Sequence, residues 1–385
     1  MKKNLFGWLA MATMLVGIGC SSDEVVNDYS PENAIQFGTY VGRDAQSRAA
    51  SIDGSILESK GFGVFAYYTG TDNFGNGSPL NYMRNQEVRF TNSVWTYSPI
   101  KYWPNNENDK ISFFAYAPYW NASTSAINIS GIPASDATGN PLITFKVPTE
   151  VTDQVDLLYA NQPNLKKQDV NENIKFVFQH ALARVGFKVE AMIDVKNGDG
   201  DGTADDNDSH EASKEKDGAT TIIVESVTLS GKFFSKGDLN LVSGNWANLT
   251  TEQQSYTLDS DNFSNISTGV TTSKTQLNND NSYLMLIPKS FASGGETMTV
   301  KVVYTVKTKD DNLKGGYSTI SNTITSEPFN LAEGLTKGRA YNLCLHLGLT
   351  SVKLSAEVTA WDPTAGTDYV VNVPINTTTT PPTNP

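Results

Sequence analysis

The sequence predicts an all-β protein built from β-sandwiches, and three observations carry that reading. Several segments alternate apolar and polar residues with a period of two, the signature of half-buried strands. Gly, Asn, Asp, Ser and Pro clusters interrupt the 385-residue chain repeatedly. Beyond the first twenty residues, no stretch combines 3.6-residue periodicity, capping residues and adequate length for a helix.

The clearest alternation runs through Met298, Val300, Val302, Tyr304 and Val306, set against Thr299, Lys301, Thr305 and Lys307. Val352, Leu354, Ala356 and Val358 alternate with Lys353, Ser355 and Glu357, and Ile174, Phe176 and Phe178 with Lys175, Val177 and Gln179. In a strand successive side chains point to opposite faces, so each series predicts one core face and one solvent face.

The N-terminus reads as a secretory signal peptide, residues 1–19. Lys2 and Lys3 precede an apolar run from Leu5 to Ile18 that closes on Gly19 and Cys20. The run is shorter than the roughly 20 apolar residues that a membrane span needs. Cys20 is placed for cleavage and thiol acylation, although Gly17 stands where lipoprotein signals usually carry Leu. The other reading is a plain cleavable signal with an incidental cysteine. Residues 20–33, beginning Cys20-Ser21-Ser22-Asp23-Glu24, are polar and predict a flexible tether. This segment also resembles the acidic signal that sends Bacteroides-type lipoproteins to the outer face of the outer membrane.

Cysteine count and charge narrow the function. Once Cys20 carries lipid, Cys344 is the remaining cysteine, so no intramolecular disulfide can form and stability rests on packed core. The net charge of −12 argues against a nucleic-acid partner, which needs a basic face. Length predicts two domains, 34–170 and 171–376, with the boundary in the polar stretch Asn161 to Asn173. Residues 196–218 form an acidic insertion in the second domain, and the Thr/Pro tract 377–385 is expected to be disordered.

Catalytic constellations are not evident. His180, His210 and His346 stand far apart, and no nucleophile elbow, zinc-protease motif or phosphate-binding loop occurs. The expectation is a non-enzymatic protein, with His346 facing solvent on a strand and His180 a packing or capping residue. Paired carboxylates of the glycosidase type remain formally open, but no particular pair stands out.

One segment has metal-ligand spacing. With Asn197 as position 1, oxygen side chains fall at Asn197, Asp199, Asp201, Asp205 and Asp208, with Gly202 at position 6, as in a twelve-residue Ca²⁺ loop. Asp208 replaces the usual bidentate Glu and no helix flanks the loop. Two readings stand: a weak Ca²⁺ site, or a solvated hairpin insertion whose Gly and Asp serve turn geometry. Otherwise no cofactor is expected. The aromatic residues Trp95, Tyr97, Tyr102, Trp103, Tyr119 and Trp120 likewise admit two readings, sugar stacking or core packing.

Several segments together resemble the Bacteroides-type fimbrillins, the subunits of type V pili. They are Gly61–Tyr68 (GFGVFAYY), Lys101–Pro104 (KYWP), Ile111–Pro118 (ISFFAYAP), Asp156–Ala160 (DLLYA), Phe178–Ala183 (FQHALA) and Trp361. Their order and spacing span nearly the whole chain beyond the signal. The resemblance implies two tandem transthyretin-like Greek-key β-sandwiches, lipoprotein export and assembly into a fimbria by strand exchange. It implies a displaced first strand, for which Ile35, Phe37 and Val41 are suited, and proteolytic processing between Arg48 and Ala49. It implies a donor strand, for which Tyr369, Val371, Val373 and Ile375 alternate suitably, although Pro374 cannot donate to a ladder; the other reading is a C-terminal strand paired within its own domain. The expected partners are other fimbrial subunits, the outer membrane through the lipid, and a host or bacterial surface ligand. The alternative expectation is a glycan-binding lipoprotein of a polysaccharide-uptake system.

Overall fold

The computed structural model describes residues 31–41, 54–121, 128–170, 172–192, 220–264, 269–291, 296–310, 312–361, 371–373 and 375–377. Within them lie the strands β1 (Phe37–Val41), β2 (Phe62–Gly70), β3 (Met83–Thr91), β4 (Val94–Thr96), β5 (Lys110–Ala117), β6 (Ile129–Gly131) and β7 (Leu142–Lys146). They continue as β8 (Leu158–Leu165), β9 (Ile174–His180), β10 (Ala183–Ala191), β11 (Thr220–Asn240), β12 (Trp246–Asp259), β13 (Thr275–Gln276) and β14 (Leu284–Leu286). The last are β15 (Met298–Lys309), β16 (Tyr317–Thr325), β17 (Phe329–Leu331), β18 (Arg339–Leu347), β19 (Val352–Ala360), β20 (Val371–Val373) and β21 (Ile375–Thr377).

The all-β expectation holds, in three sheets. A seven-stranded sheet runs β1-β9-β8-β5-β2-β3-β4, and its two edge strands, β1 and β4, approach each other as the sheet curls. A six-stranded sheet is ordered β13-β10-β18-β19-β20, with β14 also on β10. An eight-stranded sheet is ordered β21-β17-β15-β11-β7-β6, with β12 on β11 and β16 on β15. The six- and eight-stranded sheets share one core, to which Val185 and Phe187 contribute from one side and Leu229, Val300 and Tyr304 from the other.

Burial explains the two kinds of strand in the sequence. Ile174, Phe176 and Phe178 are buried while Lys175, Val177 and Gln179 are exposed, as their alternation predicts. β2 and β5 are buried on both faces and read instead as continuous apolar runs. Phe62, Val64, Phe113 and Ala115 face a core within the seven-stranded sheet, whereas Phe65, Tyr67, Phe114 and Tyr116 join the core shared with the other sheets.

Three features depart from the sequence reading. The polar stretch chosen as a domain boundary overlaps β8, and β9 beyond it belongs to the seven-stranded sheet, which ends at His180 rather than at residue 170. In the opposite sense, β6 and β7 leave the first half for the eight-stranded sheet, where β7 pairs on β11 and β6 on β7. A helix, α1 (Gly54–Lys60), precedes β2; seven residues are too few to display a helical period. Gly61 ends it with φ +67° and donates its N–H to the Leu57 carbonyl at 2.8 Å; a Cβ there would sit 2.6 Å from the Val88 carbonyl oxygen.

Candidate functional site

The first strand lies at the edge of the seven-stranded sheet and is held on both sides. On one side β1 pairs parallel with β9, Phe37 opposite Ile174 and Val41 opposite Phe178. The Ile174 N–H donates to the Gln36 carbonyl at 2.8 Å. On the other side, the loop before β5 clamps the residues leading into the strand. Ile35 N–H donates to the Lys101 carbonyl and Trp103 N–H to the Asn33 carbonyl, each at 2.8 Å. The Tyr97 hydroxyl donates to the Ile35 carbonyl at 2.8 Å, and burial first of all pushes its phenol up to about 12.

Side chains fix the strand from below. Ile35 and Phe37 are 1% and 4% exposed. The Phe37 ring sits 5.3 Å from Tyr97, 5.7 Å from Phe176, 5.9 Å from Phe113 and 6.2 Å from Phe62, so four elements form its socket. Burying Ile35 and Phe37 contributes about 1.5–3 kcal/mol each. Gly38 continues the fit, because a Cβ there would lie 2.8 Å from Asn173 Oδ1.

A family model described as fimbrillin-like matches residues 47–361. The chain belongs to the fimbrillin-like family. Over 394 aligned residues, this fimbrillin is 28% identical to the fimbrium subunit Fim1C of Phocaeicola vulgatus, covering 95% of this chain and 98% of that protein. A crystal structure of a fimbrial protein from Bacteroides vulgatus superposes with a TM-score of 0.63 at 20% identity, over 86% of this chain and all of that one. That similarity supports the fold.

The C-terminal residues of the fimbrillin pair within their own chain. Val371 to Val373 lie antiparallel on β19, with Val373 opposite Ala356, and Ile375 to Thr377 lie antiparallel on β17, with Ile375 opposite Leu331. The alternation through Tyr369, Val371, Val373 and Ile375 suggested one strand; the backbone divides it between the six- and eight-stranded sheets. Tyr369, Cys20, Arg48, Ala49 and the candidate Ca²⁺-loop residues Asn197, Asp199, Asp201, Asp205 and Asp208 lie outside the described residues.

Family-motif residues far apart in sequence meet behind this sheet. His180 Nδ1 is 2.7 Å from Asp156 Oδ2, and the imidazole stacks on Trp361; all three residues are buried. The cluster is a packing centre closed off from solvent, in keeping with a structural histidine. His346, expected to face solvent, is half-buried and bonds Glu190 and the Ser355 hydroxyl, the latter at 2.8 Å. Burial, followed by the charge of Glu357, pushes the Cys344 thiol up to about 11, so it is no thiolate nucleophile at neutral pH.

An ion triad centred on a buried carboxylate has no counterpart in the sequence pattern. Glu357, placed by alternation on a polar face, is 6% exposed and accepts from Lys188 and Lys274 at 2.7 Å each. Burial alone would raise its carboxyl pKa, but the two ammonium groups outweigh that and hold it below the usual range. The signal was absent because its lysines come from segments remote in sequence. Among the described residues no group of three or more His, Cys, Asp or Glu is arranged to hold a metal ion.

Of the six aromatic residues, four pack into the cores. Trp103 and Tyr97 belong to the core under β1, Trp95 packs on Phe62 at 4.9 Å, and Trp120 packs against the shared core. Tyr102 instead lines an open cleft.

Proposed function

We propose that this fimbrillin is a structural or adhesive subunit of a cell-surface fimbria, exported as a lipoprotein through Cys20 and assembled by protease-triggered strand exchange. It is not an enzyme in this reading. Family membership and the relative named as a fimbrium subunit support the assembly role.

The observation that carries the exchange step is the setting of β1: an edge strand with two deeply buried anchors, Ile35 and Phe37, and a socket contributed entirely by other segments. Cleavage after Arg48 separates that strand from the rest of the chain covalently. Its departure leaves the Ile174 and Trp103 N–H groups without partners and uncovers the sides of Phe62, Phe113 and Phe176 on which Phe37 sits. A sheet edge with apolar sockets and unpaired main chain favours strand addition strongly. The segment Tyr369 to Ile375 of another copy is the proposed occupant. Its backbone strands are short and pair only at their own sheet margins, β19 and β17.

Electron microscopy of cells with and without the gene product tests the assembly role. Filaments that persist unchanged in its absence sink it. Metabolic labelling with an alkyne fatty acid tests the anchor. Cys20→Ala protein should lose both label and membrane association.

A further inference from the structure

A cleft of about 690 Å³ opens beside the clamp loop, walled by Tyr68, Tyr82, Tyr102 and Trp103 together with the buried Asp109 and the exposed Asn106. Its walls follow from local structure. Along β2 the side chains are buried through Tyr67, and Tyr68 is the first to emerge, half-buried, onto the surface. Asp109 immediately precedes β5, which holds it against that tyrosine.

The aromatic groups are held in place by their own polar ends. The Tyr68 hydroxyl donates to Asp109 Oδ2 at 2.6 Å, and this bond, with burial, pushes the Tyr68 phenol up to about 12. The Tyr82 hydroxyl donates to the Tyr102 carbonyl, and the Lys101 ammonium lies 5.4 Å from the Tyr82 ring centroid. The Tyr68 and Tyr82 rings stand 6.3 Å apart at 44° to each other. These rings are therefore oriented without any ligand, and binding would cost little side-chain ordering.

We infer that this cleft binds a neutral oligosaccharide. The volume falls within the roughly 300–1,000 Å³ of small-molecule sites. A pyranose ring presents a C–H face that covers an aromatic ring and a belt of hydroxyls that both donate and accept. The cleft offers the complement: half-buried aromatic rings, an ammonium donor in Lys101, the amide N–H donors of Asn106, whose Oδ1 already accepts from the Asn108 N–H at 3.0 Å, and the Asp109 carboxylate, whose Oδ2 already accepts from Tyr68. An anionic ligand would meet the Asp109 carboxylate and a chain of net charge −12. A wholly apolar ligand would strip water from Asp109 and Lys101 without replacing its bonds. The inference stands apart from strand exchange, since no step of it requires cleavage.

The test presents the purified protein to immobilised N-acetyllactosamine, maltohexaose and xylohexaose, with sialyllactose as the charged comparison, and titrates any that bind by calorimetry. At least one neutral oligosaccharide should bind at millimolar concentration or below. Tyr82→Ala and Tyr102→Ala should each weaken it about tenfold, whereas Tyr82→Phe, which keeps the ring and loses only its bond to the Tyr102 carbonyl, should weaken it less. Asn106→Ala, on an exposed loop, should also weaken binding. Failure of all three neutral probes, preference for sialyllactose, or undiminished binding by Tyr102→Ala and Asn106→Ala proteins would each overturn the inference.

Discussion

His180 lies flat on Trp361, their ring centroids 4.1 Å apart and their planes within 5°. The Arg184 guanidinium approaches the same indole, 5.4 Å from its centroid. The Trp361 ring thus joins the end of the seven-stranded sheet, through His180, to the six-stranded sheet, through Arg184 on β10.

Trp361→Ala should therefore destabilise the whole protein, by about 3–5 kcal/mol as for a large aromatic lost from a packed core. Urea unfolding followed by circular dichroism measures this. Trp361→Phe should cost less, because it keeps an aromatic face for His180.

Phe37→Ala should act locally. Removing the ring empties a socket formed by Phe62, Tyr97, Phe113 and Phe176, and among the described residues its hydrophobic cluster draws nothing from the six- or eight-stranded sheets. Hydrogen exchange should accelerate at Ile174 and along its strand, and stay unchanged in β11, β15 and β18. Uniform acceleration would mean that β1 unfolds with the rest of the protein.

The Lys188–Glu357–Lys274 triad gives a pH dependence whose sign is fixed. Its carboxyl is held below the unfolded value, so its contribution is present above the ordinary carboxylate range of about 4.3 and is lost as pH falls through the lower folded value. Glu357→Gln should cost about 2 kcal/mol at pH near 7, with the gap to the native protein constant down to pH about 5 and closing in more acid solution. Urea midpoints measured across that range decide it.

The acidic insertion yields a calorimetric test. If the spacing of Asn197, Asp199, Asp201, Asp205 and Asp208 is that of a Ca²⁺ loop, titration should show binding in the weak range of about 0.1–1 mM, abolished in Asp199→Ala/Asp201→Ala protein. Identical heats from the two proteins leave a solvated turn-rich loop.

What the sequence disclosed depended on the geometry of each strand. Met298 to Val306 and Ile174 to Phe178 have one wet face, so their alternation was visible, and it is matched in the burial of each residue. The socket of β1 was only half visible. Alternation marked Ile35 and Phe37, but Tyr97 and Trp103 reach it from a loop whose path no periodicity encodes. The strands β6 and β7 gave no hint of crossing to β11, since both are short and Leu142 at the start of β7 is exposed. The division of residues 371–377 between two sheets escaped notice because alternation reports side-chain faces and says nothing of which neighbour a backbone joins. The clustering of Asp156, His180 and Trp361 came from long-range contact alone.

Whether β1 is exchangeable is measured most directly by limited trypsin treatment followed by mild SDS electrophoresis. Uncut protein should migrate as a monomer. After cleavage at Arg48, intact chains should form SDS-resistant ladders, chains ending at Asp368 should stay single, and Arg48→Ala protein should resist conversion. Ladders formed equally well by chains ending at Asp368, or by Arg48→Ala protein uncut anywhere between β1 and β2, Arg43 included, would contradict exchange.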